Sequence, residues 1–343
     1  VNLQLLAALF AVWLIIYFCI QKGVKSIGKV VLITVPLPII LLLIIFFRSI
    51  FLEGAWEGIY YYICPNFDAL FSAEIWEAAI SQILFTCSIG MGIMIAYASF
   101  AKPTSDMLKS GMIILFTDAI ISVFAGFVVF AVMGYMAHQT GVTVPEVATS
   151  GPGLAFVIFP KALSLMPWSG VFSVLFFLAL LSVGVDTVFS FVESFHVVIC
   201  DAICEVKKEQ IALWLCTLCF VMGLVFTTNA GFYFLDLVDH FVINISLVFV
   251  TMLECIAIGW YFGAENLRNH INTTSRYRAS SKWVIITKYI VPCITLALLC
   301  FNVIHEIKVP YNNYPSWALA TGWGIVLAPI LIAAFMAIHL PKE

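Results

Sequence analysis

Four acidic side chains lie inside stretches that are otherwise apolar: Asp118, Asp186, Asp239 and Glu254. An ionisable group in hydrocarbon is costly, so each is a candidate for function. Asp118 has Ser122 one helical turn on, and Asp186 is followed by Thr187. Carboxylate and hydroxyl oxygens in that pattern suit a hard cation such as Na⁺, by the oxygen preference of hard cations in general. The alternative is a carboxyl group neutralised by burial or paired with a neighbour. Asp239, with His240 beside it, falls near the end of its stretch and is equally readable as an interfacial charge near water. Glu254 lies deeper and reads as a structural helix–helix hydrogen bond.

The element that must position such groups is the stretch 76–100, WEAAISQILFTCSIGMGIMIAYASF. Both halves read as helix, but Thr86-Cys87-Ser88-Ile89-Gly90-Met91-Gly92 interrupts them. Glycine costs about 1 kcal/mol against alanine in a helix interior. In a bilayer an opened turn also leaves N–H and C=O groups unpaired, so it survives only in protein or beside a wet cavity. A helix broken there offers a C-terminal end to cations and an N-terminal end to anions. That is the geometry of a transporter site at the bilayer midplane. Glycine as a packing contact between spans is the plainer alternative.

Composition sets the class. The chain is 63% hydrophobic and 10% charged, with a mean hydropathy of +1.09. These values predict an all-α, polytopic helical membrane protein and exclude a soluble domain. Nine spans are expected, at roughly 3–20, 30–47, 76–100 (broken), 109–136, 170–203, 210–228, 234–262, 283–304 and 314–339. The ten cysteines fall mostly in apolar stretches and show neither zinc spacing nor a disulfide framework. The chain starts on Val1 with a span almost at once and no visible leader, so upstream sequence is expected. The segment 137–169 contains LAFVIF, which suits a lid or plug as well as a plain surface excursion.

Lysine and arginine orient the chain. Lys22, Lys25, Lys29, Lys102, Lys109, Lys207, Lys208, Arg268, Arg276, Arg278, Lys282 and Lys342 fall on one side. Arg48, Lys161 and Lys308 fall on the other, and Lys288 lies within a span. The first set is expected to be cytoplasmic, as is the C-terminus. Segments 48–75 and 137–169 then read as extracellular loops and 263–282 as a cytoplasmic one. There is no zinc-binding His-Glu-x-x-His, no Gly-x-Ser-x-Gly elbow and no phosphate-cradling loop, so an enzyme is not expected. Nothing points to nucleic acid.

Several long, ordered stretches resemble the neurotransmitter sodium symporters, carriers of amino acids and amines. They are GVKSIGKVV at 23–31, LEGAWEGIYYYICPNF at 52–67, and residues 76–100. They continue with SVFAGFVVFAVMGYMA at 122–137, SGPGLAFVIFPKAL at 150–163, LLSVGVDTVFSFVESF at 180–195 and LECIAIGWYFGAENL at 253–267. The resemblance covers essentially the whole chain, as one transmembrane transporter domain over 1–343. It implies spans four to twelve of a twelve-span, five-plus-five inverted-repeat fold, incomplete here because the first three spans are absent.

The resemblance also implies roles. The substrate amino group would meet the carbonyls of Phe85 and Thr86 and the Ser88 hydroxyl, with Phe85 as an aromatic lid and Gly90, Met91 and Phe191 in the pocket. One sodium site would use Thr86 and Asp118. The second would use the Val183 carbonyl with Asp186 and Thr187. Each would be completed by the absent first span. A chloride site would use Gln82, Thr86, Ser122 and the Asp118 position. Asp239 would be the outer-gate acid and Asp201 the inner-gate acid. Asp118 stands where most members have Asn, and a carboxylate repels a nearby anion by several kcal/mol at low effective dielectric, whereas Ser122 and Gln82 fit a chloride, so chloride coupling stays open beside sodium. Met91 replaces an aromatic wall residue, Phe191 is bulky where small residues enlarge the pocket, and Phe100 replaces a tyrosine near the inner gate. A small amino acid or amine substrate is expected, with membrane lipid around the chain and a homo-oligomer admitted. Localisation would be the plasma membrane, multi-pass. The rival reading is a short, non-transporting membrane protein that binds or assembles with a full-length relative. An ion channel is disfavoured by the lack of a repeated filter or charge ring.

Overall fold

The computed structural model describes residues 2–21, 30–102, 105–147, 153–202 and 206–339, and all regular structure among them is helical. Lys22, Lys25, Lys29 and Lys342, used above for orientation, lie outside the described residues. So do 23–29 and 150–152, parts of two of the resembling stretches. The helices that carry the argument are α1 (Leu3–Ile20), α2 (Val30–Ser49), α3 (Ala55–Ile63), α4 (Ala73–Thr86), α5 (Ile93–Ser99) and α6 (Met107–Thr140). They continue with α7 (Leu154–Leu165), α8 (Ser169–Asp201), α9 (Lys208–Thr227), α10 (Gly231–Thr274), α11 (Ser281–Lys308) and α12 (Ser316–His339).

Seven of these, α1, α2, α6 and α8 to α11, are long and apolar enough to cross a membrane. With the broken pair α4–α5 and with α12 they occupy the places of the nine expected spans. The protein is a polytopic helical membrane protein. Two expected loops hold helices of their own, α3 within 48–75 and α7 within 137–169. Helix α10 runs on to Thr274, well past the expected end at 262. The extra turns, AENLRNHINTT, are polar and so are invisible to hydropathy, and Gly263 bends into them at φ 89°.

The chain forms two compact units: residues 11–67 with 116–217, and residues 1–10 with 68–115 and 218–343. In the first, Ile45, Ala55, Ile59, Val128, Val132, Tyr135, Phe159, Leu163 and Phe176 make one core. Ile16, Ile20, Phe189, Val192, Ala212 and Cys216 make another, from α1, α8 and α9. Lipid tails are as apolar as leucine, so spans associate through close packing and hydrogen bonds more than by escaping water. Glycine supplies the close packing where α3 meets α6. A Cβ built on Gly58 would overlap the Phe130 carbonyl oxygen, and one on Gly134 would lie 2.5 Å from the Gly54 carbonyl oxygen. Ser182 Oγ joins α8 to α2 by donating to the Thr34 carbonyl at 3.0 Å.

In the second unit, Leu237, Phe241, Ile245, Ala318 and Val326 knit α10 to α12. Leu84, Leu247, Val248 and Leu298 join α4, α10 and α11. The start of α6 is tied to the segment after α10. Asp106 Oδ1 accepts from the Lys109 N–H at 3.0 Å, Asp106 Oδ2 accepts from the Arg276 N–H at 3.0 Å, and Ser275 Oγ accepts from the Leu108 N–H at 3.3 Å. The Lys109 N–H, with the Arg276 N–H, the Ser275 hydroxyl and the Lys109 charge, holds the Asp106 carboxyl below the usual carboxylate range against a smaller opposing effect of burial. A depressed folded pKa gives stability that is present above the unfolded value, about 3.9, and lost as pH falls through the folded value. Hydrogen exchange at Lys109 and Arg276, corrected for intrinsic rates, is therefore expected to accelerate on acidification below about pH 4. In Asp106→Ala it should be fast at every pH.

Candidate functional site

The break between α4 and α5 is built by backbone geometry. Cys87 closes α4 with its N–H on the Ile83 carbonyl at 3.1 Å, and the Ile89 N–H returns to the Leu84 carbonyl at 3.0 Å. Ser88, Gly90 and Gly92 adopt φ of 52°, 77° and 74°. These left-handed values are why the glycines are needed, since a side chain there costs about 1 kcal/mol or more. The C-terminal end of α4 thus points its carbonyls at the break, where a cation is favoured. The Phe85 carbonyl accepts from the Ser88 N–H at 3.0 Å. The Thr86 hydroxyl donates to the Ile83 carbonyl at 3.4 Å. Phe85 is 43% exposed and Gln82 is exposed, while Thr86, Ser88, Gly90 and Met91 are half-buried.

Helix α10 backs the break. The Glu254 carboxylate accepts from the Gly90 N–H. Thr251, one turn before it, has its hydroxyl oxygen 2.9 Å from where a Cβ on Gly90 would sit. Glu254 is therefore a structural hydrogen-bond partner, and what it holds is an N–H freed by the opened helix.

The other unit carries the second group of candidate oxygen ligands. On α8, Val183, Asp186 and Thr187 fall within one turn, and the Thr187 hydroxyl donates to the Val183 carbonyl at 2.9 Å. The Asp186 side chain lies beside that of Thr34 on α2, whose hydroxyl donates to the Val30 carbonyl at 3.1 Å. The Asp186 Oδ1 is buried without a hydrogen-bond partner among the described residues. A buried carboxylate oxygen left unpaired is expensive unless a cation or proton meets it. Asp118 and Ser122 lie one turn apart on α6, the first half-buried and the second exposed. Phe191 is half-buried one turn beyond Thr187, and Asp201 is exposed at the end of α8.

Asp239 is exposed on α10, and the structure surrounds it with a network that the sequence did not disclose. One turn earlier, Asp236 accepts hydrogen bonds from the Tyr311 hydroxyl at 3.1 Å, the Tyr314 hydroxyl at 2.9 Å and Asn312 Nδ2 at 3.2 Å. Burial, then the bond to Asp236, pushes both tyrosine hydroxyls up from their ordinary pKa. His240 Nε2 lies 2.8 Å from Glu306 Oε2, and its ring stacks on Tyr311 with centroids 3.7 Å apart. Glu306 Oε1 accepts from the Tyr311 N–H at 3.1 Å. The only sequence signal was the crowding of Tyr311, Asn312 and Tyr314 into one short segment. On α8, His196 Nδ1 lies 3.4 Å from the buried Glu193 Oε2, and Nε2 lies 3.0 Å from the Lys208 carbonyl oxygen.

The structure thus brings Gln82, Phe85, Thr86, Ser88, Gly90 and Met91 together at one break, and Val183, Asp186 and Thr187 at one turn of α8. Thr86 and Asp118, expected to share a cation, fall in different units.

A model of the family described as "Sodium:neurotransmitter symporter family" matches residues 1–342. The chain is 34% identical over 339 residues to "Sodium- and chloride-dependent creatine transporter 1" of Bos taurus, covering 96% of this chain and 53% of that protein. The Homo sapiens protein of the same name gives the same values. "Sodium- and chloride-dependent glycine transporter 2" of Xenopus laevis is 33% identical over 336 residues, covering 96% of this chain and 42% of that protein. The chain spans about half the length of the curated relatives it matches. With residues 1–342 of the chain matched by that model, the chain belongs to the sodium:neurotransmitter symporter family.

Proposed function

We propose that this protein is, or forms part of, a secondary active symporter that moves a small amino acid or amine coupled to sodium. The observation that carries the reading is the buried, unpartnered oxygen of Asp186 beside Thr187 and the Val183 carbonyl. That set suits Na⁺ as a co-transported ion, since a hard cation would take the carboxylate, hydroxyl and carbonyl oxygens together. Thr86 is a candidate ligand for a second sodium. The break at 87–92 would receive the substrate, its amino group on the carbonyls of Phe85 and Thr86 and on the Ser88 hydroxyl, beneath Phe85. Gly90 and Met91 would line the pocket there.

Transport would proceed by alternating access in the plasma membrane, with the C-terminus cytoplasmic. Asp239 would serve the outer gate and Asp201 the inner one. The membrane potential supplies about 2.3 kcal/mol per charge per 100 mV, in addition to the concentration term. The relatives are named as sodium- and chloride-dependent. Gln82 and Thr86 on the broken helix suit a chloride. Creatine and glycine, the compounds in the relatives' names, are small and zwitterionic at neutral pH, which agrees with a small substrate. Labelled glycine uptake by cells expressing the gene should be competed by creatine and small neutral amino acids. A large aromatic amine should compete at least about tenfold more weakly, the worth of 1.4 kcal/mol in fit. Equal or stronger competition by the aromatic amine would overturn the small-substrate reading.

A further inference from the structure

The polar end of α10 and the start of α11 gather Arg268, Arg276, Arg278 and Lys282 around two serines, Ser280 and Ser281. Residues 275–280 between the helices are irregular, and Arg276, Arg278, Ser280 and Ser281 are all exposed. The strip is anchored at both ends. The Arg276 N–H donates to Asp106, and Asn272 holds Ala279 by accepting its N–H at 2.6 Å and donating to its carbonyl at 3.3 Å. Ser280 is extended, at φ −76° and ψ 162°. Arg276 and Arg278, both exposed, thus precede Ser281, the first residue of α11, by five and three positions. Arg268 Nη1 already donates to Ser281 Oγ at 2.8 Å, while its Nε lies 3.3 Å from Glu265.

We propose that Ser281 is a phosphorylation site for an arginine-directed serine/threonine kinase, with Arg268 as the receiver of the phosphate. An acidic kinase groove would take Arg276 and Arg278, and Ser281 Oγ would enter the active site. The γ-phosphoryl group of ATP passes to Ser281 Oγ. The bond from the γ-phosphorus to the bridging oxygen breaks, ADP leaves, and the hydroxyl proton goes to the kinase's carboxylate base. The product carries nearly two negative charges and three acceptor oxygens. A planar guanidinium pairs with such a group through two parallel hydrogen bonds, so Arg268 exchanges Glu265 for the phosphate. The segment 275–281 is then pinned to the end of α10. Access to ATP rests on the orientation that puts 263–282 on the cytoplasmic side.

The test is phosphorylation of the purified protein in detergent by a kinase of this class with ATP, mapped by tandem mass spectrometry. A single phosphate on Ser281 is expected. It should be lost in Ser281→Ala, kept in Ser280→Ala, and slowed about tenfold by Arg276→Gln or Arg278→Gln, the worth of one charge-assisted contact. Phosphorylation should slow tryptic cleavage after Arg278, and Arg268→Gln should remove that protection without slowing the labelling. No phosphate, or a phosphate that persists in Ser281→Ala, overturns the site. In sealed right-side-out vesicles, labelling should require permeabilisation. Labelling from outside would overturn the orientation and leave the site standing.

Discussion

Asp186→Ala is expected to lower the apparent sodium affinity of uptake by roughly a thousandfold. A carboxylate and a cation 4 Å apart attract by about 4 kcal/mol at an effective dielectric constant of 20, and that attraction is what the variant removes. Asp186→Asn keeps an oxygen and the size of the side chain but discards the charge. It should lose sodium affinity almost as badly while eluting from a sizing column as the wild type does. Folding and ion binding are thereby separated, because the amide fills the same space and removes only the charge at the unpartnered Oδ1. Sodium titration of uptake, with both variants at matched surface expression, checks this. An unchanged half-saturating sodium concentration in Asp186→Asn would remove the carboxylate from the ion site.

Gly58→Ala is expected to carry the largest stability cost, at the upper end of the ~1–3 kcal/mol typical of overpacking or beyond it. The added methyl would overlap the Phe130 carbonyl oxygen and crowd the backbone of Gly134. Backbone atoms of a long helix cannot swing aside as a side-chain tip can. Helix α3 must lift from α6, exposing Ala55 and Ile59, which are now buried. The loss should appear as a lower melting temperature in detergent. Gly111→Ala, where a Cβ meets nothing within 4 Å, is the matched control and should be neutral or slightly stabilising.

The broken helix was legible because its cause is local. Gly90 and Gly92 interrupt an apolar run, and both adopt the left-handed backbone that glycine tolerates. Ser88 does so too, which its residue type alone would not disclose. Glu254 was legible as a structural hydrogen bond, but its partner was not, because Gly90 lies far away in sequence. The Asp236 network was hidden for the same reason: its acceptor sits 75 to 78 residues before its tyrosine donors, and nothing in either segment names the other. Hydropathy found the spans and missed 264–274, since a polar helix emerging from the membrane gives no apolar signal. The roles of Gln82, Val183, Phe191 and Asp201 came from family resemblance, because a carbonyl ligand or a pocket wall has no signature in residue type.

Coupling to sodium is the central claim, and replacing the cation tests it most directly. Uptake of labelled glycine and of labelled creatine by cells expressing the gene would be measured in sodium and in an equal concentration of choline. The account predicts uptake of at least one of them above that of untransfected cells, and its loss in choline. Uptake that is equal in the two media, or no uptake of either compound in sodium, would contradict it.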